Sequence, residues 1–179
     1  MSIKNFIKRR IRLLLFHLNL YGQDWEDRSL ILQAKVLMSS ESWLRKEDNL
    51  DLSSKEFRVF SQWGDDGIIQ YLINQLNIQN KFFIEFGVGN YYESNTHFLL
   101  VNNNWSGYII DGSKKKIDEV RANPFFWRYD LNLKSAFIDK NNINDLLSQS
   151  SFENIGLLHI DLDGNDYWIF DTIEIEKYN

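Results

Sequence analysis

Short apolar runs separated by helical stretches constrain this chain more than any other feature of its sequence. The runs do not alternate apolar and polar residues, so they are typical of strands covered on both faces. They occupy Phe82–Phe86, Gly107–Asp111 and Ile155–Ile160, and we place a further strand at Phe125–Tyr129. Helical spacing follows each of them, over Thr96–Val101, Ser113–Arg121, Ile138–Leu147 and Asp166–Ile173. This alternation predicts an α/β fold with a mostly parallel sheet and flanking helices.

Composition excludes several classes of protein. The 179 residues are 44% hydrophobic, with nine glycines and one proline, so the chain can bury a core and is not low-complexity. The absence of cysteine excludes disulfides, thiolate zinc sites and a cysteine nucleophile. No apolar run reaches the roughly 20 residues that a transmembrane helix needs.

Charge divides the chain into a basic leader and an acidic body. Residues 1–23 contain five basic and no acidic residues, whereas the whole chain has a net charge of −5. An acidic body argues against nucleic acid as a partner. Apolar residues recur at helical spacing in the leader, so this amphipathic helix could lie on a membrane surface, dock on a protein, or pack on its own domain. His17 and Asn19 interrupt the apolar stretch, which argues against a signal peptide and favours the cytoplasm.

We divide the chain into an N-terminal helical segment, residues 1–55, and a main domain, residues 56–179. The charged stretch Lys46–Lys55 marks the boundary. Within the first segment, one helical face is expected to contain Leu30, Ile31, Ala34, Leu37 and Met38. The main domain opens with a helix after Gly64, whose first turn holds two aspartates and whose expected buried face comprises Ile68, Ile69, Leu72, Ile73 and Leu76.

The residues after each strand are the candidates for a ligand site, because open α/β sheets bind ligands at the carboxyl ends of their strands. After the first strand, Gly87 and Gly89 allow a tight turn close to a ligand. A dinucleotide fingerprint would have a third glycine where Tyr92 stands. The acids Glu85 and Glu93 instead suit a cationic ligand such as the sulfonium of S-adenosylmethionine. A purely structural turn is the alternative.

Two further aspartates follow predicted strands. Asp111 lies 22 residues after Gly89, where a carboxylate can accept hydrogen bonds from ribose hydroxyls. Its alternative role is to cap the helix that starts near Ser113. Asp130 follows the third predicted strand and could reach an adenine amino group, or could be a solvated loop residue.

The fourth strand leads into three carboxylates, at Asp161, Asp163 and Asp166. They could bind a metal, position a substrate hydroxyl, or cap the next helix. An EF-hand is excluded, since its sixth and twelfth positions are Asp166 and Thr172 instead of glycine and glutamate. Asp161-x-Asp163 also matches the metal-binding Asp-x-Asp of nucleotide-sugar glycosyltransferases, although the glycine loop and Asp111 have no role there.

In their order and spacing, these segments resemble FkbM-type methyltransferases. The resemblance covers roughly residues 57–170 and is carried by Ser61–Ile69, Glu85–Gly89, Glu93–Thr96 with Leu99-Leu100, Trp105–Gly112 and His159–Trp168. It implies a Rossmann-like fold that uses S-adenosylmethionine to methylate a hydroxyl of a sugar, a glycan or another small molecule. The segments that remain are too few for a full sheet of this class, so we expect one truncated after about four to five strands. A non-catalytic interaction module is therefore a third alternative, besides the methyltransferase and the glycosyltransferase.

The resemblance also assigns roles to residues. Glu85, Gly87 and Gly89 would hold the methionine end of the cofactor, with Asn95 and Thr96 donating to its carboxylate. Asp111 would hold the ribose and Asp130 the adenine. Asp161 and Asp163 would lie at the mouth of the pocket, with Asp161 as the base or the positioning group and no metal required. His97 and His159 are the other candidate bases.

Overall fold

The computed structural model describes residues 25–45, 51–150 and 154–178. The chain divides into two compact units between Arg45 and Lys46. The basic helix predicted for residues 1–23 lies outside the described residues. Within the described ranges, no helix is both long enough and apolar enough to cross a membrane.

The first unit contains two helices. Residues 25–38 are helical (α1), and α2 spans Glu41–Leu44. Ser40 caps α2, because its hydroxyl oxygen accepts a hydrogen bond from the backbone N–H of Trp43 at 3.3 Å. Of the predicted apolar face of α1, Ala34 is buried, but Leu30 and Leu37 are 38% and 40% exposed, so the buried stripe is narrower than predicted.

The second unit is built around a four-stranded parallel sheet with strand order β3-β2-β1-β4. Short 3-10 turns occupy Leu52–Lys55, Phe126–Arg128 and Ile175–Tyr178. In chain order the other elements are α3 (Asp65–Leu76), β1 (Phe82–Phe86), α4 (His97–Asn102), β2 (Ser106–Asp111), α5 (Lys114–Ala122), β3 (Leu131–Ser135), α6 (Ile143–Ser148), β4 (Leu157–Ile160) and α7 (Asp166–Phe170). This confirms the predicted α/β class, a Rossmann-like parallel sheet with flanking helices after an N-terminal helical segment.

Strand β1 lies inside the sheet and is buried along its whole length, as its apolar run predicted. Phe82, Ile84 and Phe86 pack on one face, against a core that includes residues of α6 and α7. Phe83 packs on the other face, against a core that includes residues of α4 and α5. Two cores thus fix β1, and the loop that leaves its carboxyl end starts from an immobilised strand.

The prediction for the third strand is wrong. Phe125–Tyr129 is not a strand, since Phe126–Arg128 forms a 3-10 turn with Phe126 packed into the core, and β3 begins at Leu131. As an edge strand, β3 mixes half-buried and exposed residues and therefore lacks a continuous apolar run. Asp130 consequently precedes the strand instead of following it, and its carbonyl accepts a hydrogen bond from the N–H of Gly107 at 2.9 Å.

Helix α6 starts later than predicted, at Ile143 instead of Ile138. The carboxylate of Asp139 accepts the backbone N–H groups of Asn141 and Asn142, at 2.7 Å and 3.1 Å. This local turn holds the preceding residues out of the helix.

Helix α3 begins with two aspartates as predicted, but its buried face differs from the prediction. The buried residues are Asp66, Gly67, Gln70 and Tyr71, whereas Leu76 is 68% exposed. A side chain on Gly67 would place its Cβ 2.1 Å from the carbonyl oxygen of Lys55. Of the predicted apolar residues, Ile69 and Ile73 are partly buried against the core.

His97, the first residue of α4, lies in an aromatic cluster. Its ring stacks on Phe60 and Tyr91, with ring centroids 4.0 Å and 5.0 Å away. The residue is only 4% exposed. Burial disfavours the charged imidazolium and lowers the pKa of His97 to about 4.

We expect acid to destabilise the fold through His97. In the unfolded chain, His97 takes up a proton near the ordinary histidine pKa. In the folded chain, it takes up the proton only near pH 4. Stability is therefore lost as the pH falls from 6.5 towards 4, by roughly 3 kcal/mol. The free energy of unfolding, measured in urea across this range, should show a flatter profile for His97→Phe than for the wild type. Parallel profiles would contradict this assignment.

Candidate cofactor-binding site

A pocket of about 400 Å³ opens at the carboxyl ends of the four strands. This volume is within the usual range for small-molecule sites. The pocket is lined by Gly87, Ile110, Asp111, Gly112, Lys116, Ala136, Phe137, Ile138, Asp161, Leu162, Asp163 and Asn165. Of the predicted site residues, it brings together Gly87, Asp111, Asp161 and Asp163.

Gly87 is the point where the loop after β1 passes against the loop after β4. It has a φ of +76°, and a Cβ there would lie 1.7 Å from the carbonyl oxygen of Asp161. Its N–H donates to the carbonyl of Ile110 at 3.0 Å. The lack of a side chain thus lets three strand ends converge on the floor of the pocket.

Asp111 ties the glycine loop to the end of β2. One carboxylate oxygen accepts the N–H of Gly89 at 2.8 Å, and the other accepts the N–H of Ser113, the N-cap residue of α5, at 2.7 Å. Gly89 has a φ of +58°, a conformation that costs glycine little. The helix cap considered for Asp111 from sequence is Ser113 instead, and Asp111 holds the cap residue and the glycine loop. It also lines the pocket, and each oxygen retains a lone pair for a ligand hydroxyl.

Glu85 faces the chain and not the pocket. Its carboxylate accepts hydrogen bonds from the hydroxyls of Ser94 and Thr96 and from the backbone N–H groups of Asn95 and Thr96, the last two at 3.1 Å and 3.2 Å. Glu85 is 3% exposed. It anchors the segment that leads into α4.

Asn95, Thr96 and His159 contact Glu85 or each other in the same network, in which Thr96 is buried and the other two are half-buried. The Nδ1 of His159 lies 3.5 Å from the Glu85 carboxylate, and its Nε2 is 2.8 Å from the side-chain nitrogen of Asn95. None of the three lines the pocket, and His97 does not line it either. The structure places them as supports of the loop beside the pocket.

The three aspartates after β4 divide into two kinds. Asp166 accepts the N–H groups of Leu162 and Gly164, at 2.6 Å and 3.2 Å, and the bond from Leu162 lowers the pKa of its carboxyl. Asp161 and Asp163 are exposed and line the pocket. Within the described parts of the chain, no cluster of three or more potential metal ligands forms.

Sequence reasoning missed Lys116 and the segment Ala136–Ile138 as pocket residues. The segment follows β3, so the misplaced third strand concealed it. Asp130 lies at the amino end of β3, whereas the pocket lies at the carboxyl ends of the strands. Asp130 is therefore not among the residues that line the pocket.

Comparisons with known proteins show weak similarity to a solved methyltransferase structure. No family model matches the chain, and no curated protein matches it. Among solved structures, it is similar to coclaurine N-methyltransferase bound to N-methylheliamine and SAH, with 14% sequence identity and a TM-score of 0.35. The match covers 90% of this chain and 50% of the other, so the chain spans about half the length of that structure. A similarity of this size identifies no family.

Replacing Glu85 by glutamine should destabilise the fold by about 2–3 kcal/mol, because the amide group cannot accept all the donors that meet the carboxylate. Glu93→Gln is the matched control, since the Glu93 side chain is 62% exposed beside Arg58. We expect the control to change stability by less than about 0.5 kcal/mol. Urea unfolding measures both, and equal effects would refute the anchoring role of Glu85.

Gly87→Ala should cost about 3 kcal/mol or more, because the new methyl group overlaps the Asp161 carbonyl. Gly164→Ala is the control: its φ of +89° is also positive, but nothing lies within 4 Å of the added Cβ. This control should lose only about 1–2 kcal/mol from backbone strain. Comparing the two denaturation midpoints isolates the contact with Asp161, and similar losses would contradict it.

Proposed function

We propose that this chain binds S-adenosylmethionine in the pocket and methylates a hydroxyl of a sugar or another small acceptor, as an FkbM-type methyltransferase. The observation that carries the proposal is the hydrogen bond from Gly89 to Asp111, 2.8 Å long, at the carboxyl ends of neighbouring strands. It combines a loop of open backbone with a carboxylate at the end of the next strand. Such a pair suits a ligand that carries a ribose.

The charged residues that line the pocket favour the binding of a cationic ligand. Asp111, Asp161 and Asp163 line it, and Lys116 is the one basic residue among the described lining residues. A ligand with a sulfonium, an ammonium and one carboxylate has a net positive charge, which such a lining attracts. A pyrophosphate-containing dinucleotide would be repelled.

The residues around the pocket suit the parts of this cofactor. Asp111 has lone pairs for the ribose hydroxyls, and Phe137 and Ile138 offer apolar surface for the base. At Gly89, a Cβ would meet only the Lys116 amine, at 3.7 Å, so a ligand can approach the loop closely. Glu85, Asn95 and Thr96 contribute by holding the adjoining loop, and Asp130 has no part.

When bound, S-adenosylmethionine would supply a methyl group to the acceptor oxygen, and its sulfur would keep the electron pair of the bond that breaks. The chain's own contribution is positioning and proton transfer. Asp161 holds the acceptor hydroxyl and takes its proton on the carboxylate, and Asp163 supports the acceptor from the same exposed turn. The peptide of Asp161 packs closely against Gly87, and this contact fixes the Asp161 carboxylate relative to the glycine loop.

The metal-dependent glycosyltransferase remains the competing function, because Asp161 and Asp163 both face the pocket and make no side-chain hydrogen bond within the described structure. In that case binding of a nucleotide sugar would require Mn²⁺ and would be lost in Asp163→Ala. A methyltransferase requires neither the metal nor the nucleotide sugar.

Calorimetric titration with S-adenosylhomocysteine tests the proposal. We expect saturable binding without added metal, weakened about tenfold in Asp111→Asn because one ligand-accepting oxygen becomes a donor. Asp118→Asn is the control, since this carboxylate lies on the surface of α5, paired with Lys114 and Arg121. Circular dichroism verifies that each variant is folded. A folded wild type that gives no binding heat, or that binds a nucleotide sugar only with Mn²⁺, would refute the proposal.

A further inference from the structure

Three consecutive lysines open helix α5, and one of them differs from the others. Lys114 pairs with Asp118 at 2.6 Å, and Lys115 pairs with Glu119 at 4.0 Å, each four residues along the helix. Four residues after Lys116 stands Val120, which is buried in the core. The acid that lies three residues after Lys116, Glu119, is the one that pairs with Lys115.

Lys116 extends towards the pocket. It lines the cavity, and its Nζ lies 3.7 Å from the position that a Cβ on Gly89 would occupy. No ion pair joins it to any residue that the structure describes. Asp111, which also lines the pocket, accepts the N–H groups of Gly89 and Ser113. An ammonium group that forms no ion pair within the described ranges thus lies beside the glycine loop.

We propose that Lys116 binds the carboxylate at the methionine end of the cofactor, so that the pocket selects ligands that carry this group. The inference rests on the proposed function. The other charged residues known to line the pocket are acids, which would repel a carboxylate, so Lys116 is the residue there that complements the ligand's one anionic group. Its place over Gly89 puts it beside the loop that the cofactor approaches.

The test compares two ligands that differ only in this carboxylate: S-adenosylhomocysteine and its decarboxylated analogue, S-adenosyl-3-thiopropylamine. Calorimetry on the full chain should show that the wild type prefers the first by about fivefold, the value of a partly exposed charge-assisted contact. Lys116→Met should abolish the preference by weakening the first ligand alone. Lys116→Arg should restore it, and Lys115→Met, at an exposed ion pair, should leave it unchanged.

The outcomes separate this inference from the proposed function. If both ligands bind the wild type and Lys116→Met weakens them equally, or the preference persists in that variant, the role of Lys116 is refuted and the cofactor site stands. If neither ligand binds a folded wild type, the proposed function fails and this inference fails with it. Tighter binding of ADP than of S-adenosylhomocysteine would also overturn the inference, because Lys116 would then serve a phosphate.

Discussion

The absence of a side chain at residue 87 is the constraint on which the site depends. The peptides of β1 and β4 approach so closely there that a Cβ would lie 1.7 Å from the Asp161 carbonyl oxygen. The same residue donates to β2 through Ile110. Since the pocket is formed by the ends of these strands, one backbone contact sets the distance between its glycine loop and its exposed acids.

A second, buried interaction holds the loop that follows. Glu85, one residue before the end of β1, has a carboxylate surrounded by donors from residues 94–96 and by His159 of the neighbouring β4. Burying a charge is costly unless hydrogen bonds replace the lost water, and this set of donors does so. The floor of the site is thus made rigid from within, while Asp161 and Asp163 stay accessible.

Much of the fold could be predicted because a strand that is buried on both faces of the sheet has a continuous run of apolar residues. Strand β1 was predicted to the residue. The pattern failed at β3, since an edge strand is only half buried and its apolar residues are interrupted by Asn132 and Lys134. It also failed in part on α3, where the fully buried residues include Asp66, Gly67 and Gln70 and the predicted apolar residues are only partly buried or exposed.

The candidate site was predictable in place but not in every role. Sequence spacing shows that a carboxylate lies near the end of a strand, yet not whether it faces a ligand or its own chain. The resemblance assigned Glu85, Asn95 and Thr96 to the cofactor, whereas in the structure Glu85 accepts hydrogen bonds from residues 94–96. Lys116 was hidden among three lysines. A local signal distinguishes Lys116 from the other two lysines. An acid stands four residues after Lys114 and after Lys115, whereas Val120 stands four residues after Lys116.

The buried position of Glu85 also has a consequence for the electrostatic potential of the pocket. Glu85 is two residues before Gly87, at most about 7 Å along an extended chain. Its surroundings exclude water, so its negative charge is screened far less than one on the surface. The Glu85 carboxylate therefore contributes to the electrostatic field at the pocket floor without contacting a ligand, and that field favours a positively charged ligand.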